Sequence, residues 1–530
     1  MAGIVTTNFR KHNAEQFYEA FSEADESRMY FFIGRSTQWA DDNNPPSPTD
    51  SVQATEYDVW KTMIAAKQIS TSDVTYAINR NNWANNTFYS NYSTGSTTLE
   101  SNTFFIMTDD YRIYKCVGNA KANSTVAAAN STVEPTGTST SLLATADGYH
   151  WKYMYSISTA DILKFLTTSY IPVSTDSTVA AAASNSSIDH IEVSANGSLY
   201  LGALGTMATV TNANTMTLAS SAGTSDSMYN GSGLYITSGT GSGQVRKILT
   251  YTGSTRSVKT LTNFDTLPDG TSTYSVGPMV TVYGSRGPKG SPTQATAYAN
   301  VVYAANFAAT GNTVNKIGIV SAGAHYASAN VTLTANASHG TGATATAMIA
   351  PPSGHGANAV SELFGYNVML NVQLTGTESG THPIDQDFRV FGILKDPREA
   401  DGNAATSAVY DQTTRLTLTS VSGSGKWSKD ELVTGDTTGS KARVVQFANT
   451  NGANTLGTLH VTNIDGASNG GFGTSETIRG ATSSITSTVA SVANTGGLKP
   501  HSGKVIYVEN RGPIQRSSDQ TEDIKVVVKF

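Results

Sequence analysis

The residue closest to a catalytic pattern in this sequence is Ser468. It stands in the nucleophile place of "GASNG" (Gly466 to Gly470), which fits the bare G-x-S-x-G pattern of serine hydrolases. That chemistry needs a strand before the serine and a helix after it, and the "GFGTSETI" that follows has no helical pattern. Because this part of the chain is rich in Gly and Ser, we interpret the match as chance.

Metal ligation and acid–base catalysis have equally weak candidates. The histidines nearest to one another lack the short spacing of a zinc chelate: His325, His339 and His355. Asp519, Glu522 and Asp523 precede a terminal strand, which favours a solvated turn over a glycosidase pair. The sequence also lacks the H-E-x-x-H, Walker-type, G-x-G-x-x-G and EF-hand patterns. We therefore predict a protein that is not an enzyme and that uses no metal and no cofactor.

Charge and hydropathy exclude further classes of function. The net charge is -6, and no Lys or Arg occurs from Phe165 through Val245 or from Gly318 through Phe388. Nucleic-acid binding needs a basic surface that these segments cannot supply. No run approaches the length of a membrane span, and the N-terminus lacks the apolar core of a signal peptide. Cys116 is the only cysteine, so no intrachain disulfide can form. We expect a soluble protein with no nucleic acid and no membrane among its partners.

The first 175 residues or so have the composition of a densely packed domain. Four of the five tryptophans lie there: Trp39, Trp60, Trp83 and Trp151. In "DGYHWKYMYSI" the large residues alternate at Tyr149, Trp151, Tyr153 and Tyr155. This period of two predicts a strand with one buried face, which we favour over an aromatic platform for sugars.

Local patterns in the same region predict specific elements. "GIVTTNF" predicts a strand, and Asn13 with Gln16 forms a capping box for a helix that follows it. "EYDVWKTMIAAKQI" predicts a second helix with one apolar face. Ser158 and Asp161 predict the cap of a short helix in "ADILKFL".

After about Ser174 small polar residues and glycine turns dominate the chain. Short alternating segments with Val, Ile, Leu and Tyr recur between the turns, which favours short strands over a flexible linker. Later, a repeat appears at an offset of 45 residues. It pairs Trp427 with Phe472, Glu431 with Glu476, Val433 with Ile478, Gly435 with Gly480, and Thr437 with Thr482. We predict one supersecondary unit that occurs twice.

Motifs at the two ends of the chain carry a resemblance to a known family. Near the N-terminus these are Gly34, Arg35, Ser36 and Trp39, "PPSPTDS" from Pro45 to Ser51, "NRNNW" ending at Trp83, and "DGYHWKYMYSI". At the C-terminus they are "YVENRGP" from Tyr507 to Pro513 and "DQTE" from Asp519 to Glu522. Together they resemble the baseplate wedge protein of T-even-type contractile-tailed bacteriophages, the subunit that is a dimer there. The middle of the chain lies outside the resemblance.

The resemblance implies a mainly β fold with a few short helices, in which N- and C-terminal segments form one β-sandwich-like framework around nested insertions. The expected domains are 1–175, the first part of the framework; 176–355, an inserted β-rich module; 356–410, framework strands; 411–498, an inserted β-module with two 45-residue repeats; and 499–530, a C-terminal segment that completes the framework. The implied function is a structural one in the virion, at the tail baseplate, with assembly in the host cytoplasm. The implied partners are a second copy of the chain and other wedge subunits, and the implied action is to bridge those subunits and transmit the change that triggers sheath contraction.

The motif residues are structural or interface candidates, with no catalytic, cofactor or metal role assigned. They are Gly34, Arg35, Trp39, Pro46, Pro48, Asp50, Trp83, Tyr149, Trp151, Tyr507, Glu509, Asn510, Arg511, Pro513, Asp519 and Glu522. The prolines predict a stiff loop over Asn43–Thr49. Arg35 and Arg511 can form bidentate pairs with carboxylates such as Asp50 or Glu509, and we favour pairs within the chain.

A second function of a different class stays open. The Gly/Ser/Thr-rich insertions resemble surface modules of phage proteins, so the chain could be a glycan-binding, or less favourably glycan-cleaving, tail adhesin. Against cleavage stands the lack of an acid pair, and against binding stands the scarcity of Trp in the insertions, where only Trp427 occurs. Under this second hypothesis, a host surface glycan bound through the insertions is an additional partner.

Overall fold

The structure is a computed structural model of the full chain. It describes residues 4–23, 28–51, 53–94, 96–119, 129–286, 291–302, 312–336, 338–422, 426–451, 456–465, 471–494 and 497–530. The chain divides into two compact units. The framework unit comprises the described residues within 1–77 and 366–530, and the middle unit comprises those within 78–365.

Helices are few and short in the described residues. The α-helices are α1 (Thr7–Glu19), α2 (Ala54–Thr62), α3 (Thr159–Phe165), α4 (Ser177–Ala181) and α5 (Ala359–Glu362). Two 3₁₀ helices cover Thr71–Asp73 and Leu99–Ser101.

Strands make up most of the regular structure. They are β1 (Met29–Gly34), β2 (Met63–Gln68), β3 (Val74–Asn79), β4 (Phe105–Met107), β5 (Arg112–Asn119), β6 (Leu143–Ala144), β7 (Tyr149–Ser156), β8 (Tyr170–Pro172), β9 (Ile188–Ser198), β10 (Ala203–Thr206), β11 (Thr209–Asn212), β12 (Thr215–Thr217), β13 (Gly233–Ser238), β14 (Val245–Thr252), β15 (Ser257–Thr260), β16 (Thr273–Gly277), β17 (Met279–Arg286), β18 (Thr296–Val302), β19 (Thr313–Ser321), β20 (Tyr326–Thr334), β21 (Thr341–Ile349), β22 (Asn367–Thr375), β23 (Gln386–Lys395), β24 (Val409–Asp411), β25 (Thr414–Val421), β26 (Leu432–Gly435), β27 (Lys441–Asn449), β28 (Gly457–Asp465), β29 (Thr477–Gly480), β30 (Thr486–Asn494), β31 (Lys504–Arg516) and β32 (Thr521–Lys529). The predicted fold class, mainly β with a few short helices, is confirmed.

The framework unit is built on a five-stranded sheet with the order β24-β2-β1-β23-β31. Every residue of β1, "MYFFIG", is buried, as expected for a central strand covered on both faces. β23 pairs antiparallel with β1 on one side and with β31 on the other. The N-terminal and C-terminal strands therefore share one sheet.

A second group of strands and one helix complete this part of the framework unit. β22 pairs antiparallel with β3 and, over its whole length, with β32. In α1 the ring of Phe17 packs edge-on against Phe21 at 5.1 Å and against Phe530 of the C-terminus at 5.5 Å. The last residue of the chain thus packs against the first helix.

The 45-residue repeat forms a closed barrel with the strand order β25-β28-β27-β26-β29-β30. Each copy supplies three strands, and exchanging the two copies reproduces the same order. The interior is apolar and includes both members of two predicted pairs: Trp427 and Phe472, and Val433 and Ile478.

Two buried glutamates link the copies reciprocally. Glu476 accepts hydrogen bonds from the N–H groups of Thr437 (2.9 Å) and Thr438 (2.6 Å) in the first copy. Glu431 accepts them from Thr482 (3.1 Å) and Ser483 (2.9 Å) in the second copy. Gly435 and Gly480 recur because a Cβ at either position would collide with the carboxylate of the other copy. The repeat therefore preserves a packing arrangement as well as a strand pattern.

The middle unit contains several separate sheets. β4-β5-β7-β6 and β19-β18-β17-β20 are four-stranded, β21 pairs with β9, and a seven-stranded sheet has the order β10-β16-β13-β14-β15-β12-β11. In β7 the predicted alternation holds at Tyr149, Trp151, Tyr153 and Tyr155, which are all buried. The N-cap predicted at Ser158 is also confirmed, since its hydroxyl accepts a hydrogen bond from the N–H of Asp161 at 3.1 Å.

A buried ionic cluster lies in the middle unit. Lys115 on β5 is fully buried, with its Nζ 3.0 Å from Asp189 Oδ2 and 2.5 Å from Glu362 Oε1. Lys152 on β7 contacts the other oxygen of Asp189 at 2.8 Å. Burial alone would raise the pKa of Glu362, but Lys115 and then His355 lower it to about 2. The cluster ties β5, β7, β9 and α5 together through charges that have partners.

Three local predictions are wrong. The first helix begins at Thr7, capped by Thr6, so Asn13 lies inside it and does not start it, and Ile4 and Val5 are not in a strand. The second predicted helix ends at Thr62, and "MIAAKQ" continues as β2. This strand lies between β1 and β24, so pairing on both edges overrides the helical preference of Met, Ala and Gln.

Candidate functional site

The loop that follows β1 is fastened to the edge strand β31. The indole Nε1–H of Trp39 donates to the carbonyl oxygen of Arg511 at 2.8 Å, and Asn510 Nδ2 donates to the carbonyl oxygen of Pro46, also at 2.8 Å. The guanidinium of Arg35 lies 3.8 Å from the centre of the Trp39 ring. The two ends of the chain thus meet in one surface through the residues that carry the resemblance.

The two arginines of this surface have carboxylate partners within the chain. Arg35 lies 3.7 Å from Asp58 rather than beside Asp50. Arg511 pairs with Glu509, which also accepts a short hydrogen bond from the hydroxyl group of Tyr507. Burial, followed by this contact with Glu509, raises the pKa of Tyr507. The hydroxyl therefore stays protonated and keeps its donor role.

Two grooves flank β31. One, of about 680 Å³, is lined by Pro48, Asp50, Glu56, Lys504 and Tyr507, among others. The other, of about 560 Å³, runs beside α1 and has a mixed lining of apolar residues such as Phe17, Ile506 and Phe530 and polar ones such as Glu23 and Lys395. Pro513 is exposed on the same strand, in keeping with the rule that proline in a sheet occupies an edge. These features suit contacts with another surface better than a reaction.

A charge cluster behind the loop contains residues that the sequence did not single out. Arg389 on β23 is only 2% exposed and donates to both oxygens of Asp42, each at 2.9 Å. The same guanidinium donates to the carbonyl oxygen of Ser36 and lies 2.9 Å from Asp387. Asp430, from the barrel, lies 3.7 Å away. Arg389 is the first Lys or Arg after a long segment that has neither, and it stands inside an apolar strand, a signal that could have identified it.

The C-terminal turn contains a second such cluster. Glu522 is buried and accepts from Arg516 Nε at 2.7 Å, whereas Asp519 is exposed and accepts from hydroxyls of its own turn. Arg516 also donates to His382 Nδ1 at 2.9 Å. Burial, and then the charge of Arg516, lowers the pKa of His382 to about 3. The two carboxylates thus differ in environment and form no acid pair.

The remaining motif residues have separate positions. Gly34 ends β1, where a Cβ would lie 3.0 Å from the carbonyl oxygen of Thr62. Trp83, Tyr149 and Trp151 belong to the middle unit, where the latter two rings stack at 5.4 Å and are fully buried. Because these rings are inaccessible, they cannot form a platform for sugars.

The candidate catalytic and metal-binding residues do not share one outcome. Ser468, with Gly466 to Gly470, lies outside the described residues. His355 contacts Glu362 at 3.1 Å inside the buried ionic cluster. Within the described ranges, no group of three or more His, Cys, Asp or Glu side chains could hold a metal ion. In the same residues, no helix has the length and apolar character needed to cross a membrane.

Comparison with known families bears on the N-terminal part of the chain. Residues 3–117 match the family model Phage-Gp8, described as bacteriophage T4, Gp8. The chain resembles a T4-type baseplate wedge protein. The match covers β1, α2 and the loop that carries Arg35 and Trp39, and it supports a structural role in the baseplate wedge of a phage tail, within the virion. No curated protein matches the chain.

Proposed function

We propose that this chain works as a homodimer in the baseplate wedge, where it bridges neighbouring wedge subunits and transmits the conformational change that triggers sheath contraction. It acts through surfaces and catalyses no reaction. The observation that carries the proposal is the fastening of the loop after β1 to β31 by Trp39 and Asn510. A bridging subunit must keep its contact surface rigid under load. These bonds join the N-terminal loop after β1 to the C-terminal strand β31 in one surface.

The proposed contact surface consists of the loop and the exposed side of β31. Edge strands expose backbone groups that can pair with another chain, so their outer contacts are usually controlled. Here Pro513 lacks a donor, and the loop occupies part of the edge through Arg511 and Asn510. The uncovered part, beside the two grooves, is the surface that we assign to a neighbouring subunit. The motif residues keep their interface role as part of this proposal.

Two substitutions at one position test the surface. Trp39→Phe keeps a ring under Arg35 but removes the hydrogen bond to Arg511, whereas Trp39→Ala removes both contacts. We expect tail yield to fall moderately with the first variant and severely with the second, counted by electron microscopy in a complementation assay. Arg479→Ala, on the exposed face of the barrel, is the matched control and should assemble normally. Normal tails from Trp39→Ala would contradict the proposal.

The domain boundaries expected from the sequence also remain proposals. We propose that 176–355 and 411–498 are insertions whose loss leaves a foldable framework. The barrel of β25–β30 falls within the second range, and its own apolar cluster supports the proposal. In a chain that lacks 411–498, the remaining residues of the framework unit should still unfold cooperatively. An aggregated product would count against this division.

A neutral glycan is a second candidate partner. Thr344 and Thr346 on β21, and Thr332 and Thr334 on β20, are exposed at alternate positions, in a segment without Lys or Arg. Rows of hydroxyl groups can exchange hydrogen bonds with sugars. Binding of the full chain to host polysaccharide that is lost in Thr344→Val/Thr346→Val would support this candidate, and absence of binding would remove it.

A further inference from the structure

Within the framework unit, several polar contacts join the barrel to the rest of the unit, which is called the framework below. They are the Ile384 N–H to Gln446 Oε1 at 2.6 Å, Lys61 to Asp465 at 2.7 Å, Lys429 to Asp385 at 3.2 Å, and Arg389 to Asp430 at 3.7 Å. The apolar cluster of the barrel consists of barrel residues, and the framework cluster around Tyr30 and Trp60 consists of framework residues. Polar contacts of this kind depend on charge, so their strength can change without any change in either core.

The connection between the two parts is a narrow stem. Gln412, which precedes the barrel, donates through Nε2 to the carbonyl oxygen of Leu498, which follows it, at 3.0 Å. Its Oε1 accepts from the N–H of Leu498 at 2.7 Å. These two bonds hold the entering and leaving segments together, and beside them Asp411 on β24 binds Arg415 of the barrel at 2.7 Å.

The set of polar contacts between the barrel and the framework is called the seat below. Asp430 makes the weakest contact of this set. Its side chain is 17% exposed, and its Oδ1 is buried and has no hydrogen-bond partner among the described residues. The Arg389 guanidinium that it faces is already bound to Asp42 and Asp387 and to the carbonyl oxygen of Ser36. A third carboxylate thus approaches a cation whose donors are committed elsewhere.

Asp430 is surrounded by polar and charged side chains from β23, from β27 and from the loop after β1. Arg443 on β27 donates to its backbone carbonyl oxygen at 2.9 Å, and Arg35 and Ser36 lie in the loop after β1. Burial, and then repulsion by Asp387, raise the pKa of Asp430 to about 6, although Ser36, Arg389 and Arg443 act in the other direction. The hydrogen bonds from Arg389 lower the pKa of Asp42, so that group stays ionised in the same range. Asp430 is therefore the group of this cluster that changes charge near pH 6.

We propose that Asp430 is a proton-dependent latch: the barrel docks more tightly on the framework when the Asp430 carboxyl group is protonated and more weakly when it is ionised. Protonation removes the repulsion from Asp387 and the burial of a charge whose Oδ1 has no hydrogen-bond partner, and these gains outweigh the loss of the 3.7 Å attraction to Arg389, so the seat tightens. Ionisation restores both and weakens the seat, while the apolar interior of the barrel is untouched.

The direction and size of the effect follow from linkage. A carboxyl group on the released barrel has an ordinary pKa of 3.8, whereas the seated one has a pKa of about 6. The seated form thus binds the proton more tightly, and docking is strongest below about pH 4 and weakens through the interval up to pH 6. The two values correspond to a fall of roughly a hundredfold in the docking constant across that interval. Above pH 6 no further weakening is expected from this group.

Hydrogen exchange of the full chain can test the latch. The amide of Ile384 is the reporter of docking, because its acceptor belongs to the barrel, and the amides of Thr437 and Thr438, bound by Glu476, report on the folding of the barrel itself. After correction for intrinsic rates, we expect the protection of Ile384 to fall by roughly a hundredfold between pH 4 and pH 7.5. The protection of Thr437 and Thr438 should not follow this fall.

Asp430→Asn is the decisive variant. Asp430 has a φ of 61°, and Asn tolerates this left-handed conformation well, so the variant should fold. We expect Ile384 to be protected at both pH values in Asp430→Asn. Asp436→Asn removes a charge of the same sign elsewhere on the barrel and should keep the wild-type pH dependence. The proposal fails if wild-type Ile384 shows no change, if Asp430→Asn keeps the wild-type slope, or if Thr437 and Thr438 lose protection together with Ile384.

Discussion

The reciprocal glutamates of the barrel allow a stability prediction with an internal check. Glu431→Gln and Glu476→Gln each replace a buried carboxylate by an amide of nearly the same shape. If the two copies of the repeat are equivalent in energy as well as in geometry, the two substitutions should destabilise the barrel by the same amount.

The contacts of each carboxylate set the magnitude. Glu476 accepts from three backbone N–H groups, those of Gly473 (2.8 Å), Thr437 and Thr438, and Glu431 accepts from the equivalent three, beginning with Ser428 (2.7 Å). Glutamine keeps one carbonyl oxygen, and its NH₂ group must face at least one of these donors. A hydrogen bond to a charged group contributes about 1.5–3 kcal/mol, so one lost bond and weaker remaining ones predict a loss of about 3 kcal/mol for either variant.

Hydrogen exchange of the slowest barrel amides measures this loss, since these amides open only when the barrel unfolds. Suitable reporters include the amide of Val489, which donates to the carbonyl oxygen of Glu476 at 2.9 Å. Asp436→Asn disrupts an exposed ion pair and should cost less than about 1 kcal/mol. Losses that differ between Glu431→Gln and Glu476→Gln by more than about 1 kcal/mol, or that both lie near zero, would refute the equivalence of the two copies.

Three further predictions concern the rest of the chain. Lys115→Met leaves two buried carboxylates without Lys115 and should destabilise the middle unit by about 3–5 kcal/mol in thermal unfolding. Lys152→Met should cost less because Asp189 keeps its contact with Lys115. Equal losses from the two variants would contradict this prediction. In the stacked pair His150 and His190, burial and then the charge of Lys316 lower the pKa of His150 to about 4, and burial and then His150 lower the pKa of His190 to about 3. The middle unit should therefore lose up to about 1.4 kcal/mol per pH unit for each histidine as pH falls below 6.5. Replacing both by Gln should flatten the pH dependence of urea unfolding, and an unchanged slope would exclude the pair as its cause. Deletion of Ser502–Phe530 removes the partners of β23 and β22, so the framework unit should not fold, and a soluble remainder with cooperative unfolding would contradict its role.

A period of two and a repeat at a fixed offset predicted structure well, whereas the capping box at Asn13 and Gln16 did not. The alternation in β7 identified a buried face because strand periodicity is local, and the repeat of Glu, Gly and Thr at a fixed offset identified the two halves of the barrel. The strand at Met63–Gln68 was missed because its composition favours a helix, and only its two neighbouring strands decide the matter.

The charge cluster of the framework could not be predicted in the same way. Its carboxylates, Asp42, Asp387 and Asp430, come from three distant parts of the chain and meet only at Arg389. In the folded state the hydrogen bonds from Arg389 lower the pKa of Asp42, whereas burial raises the pKa of Asp430. The sequence contains the isolated arginine but not the identity of its partners.

The structural role in the tail can be tested most directly by locating the chain in purified virions. We predict that a cryo-electron microscopy map of the extended tail will contain the framework unit in the baseplate wedge, in a fixed whole number of copies per wedge, with the loop after β1 and the outer side of β31 against a neighbouring subunit. A map in which the chain is absent from the baseplate, or occurs only at the tips of tail fibres, would contradict this role.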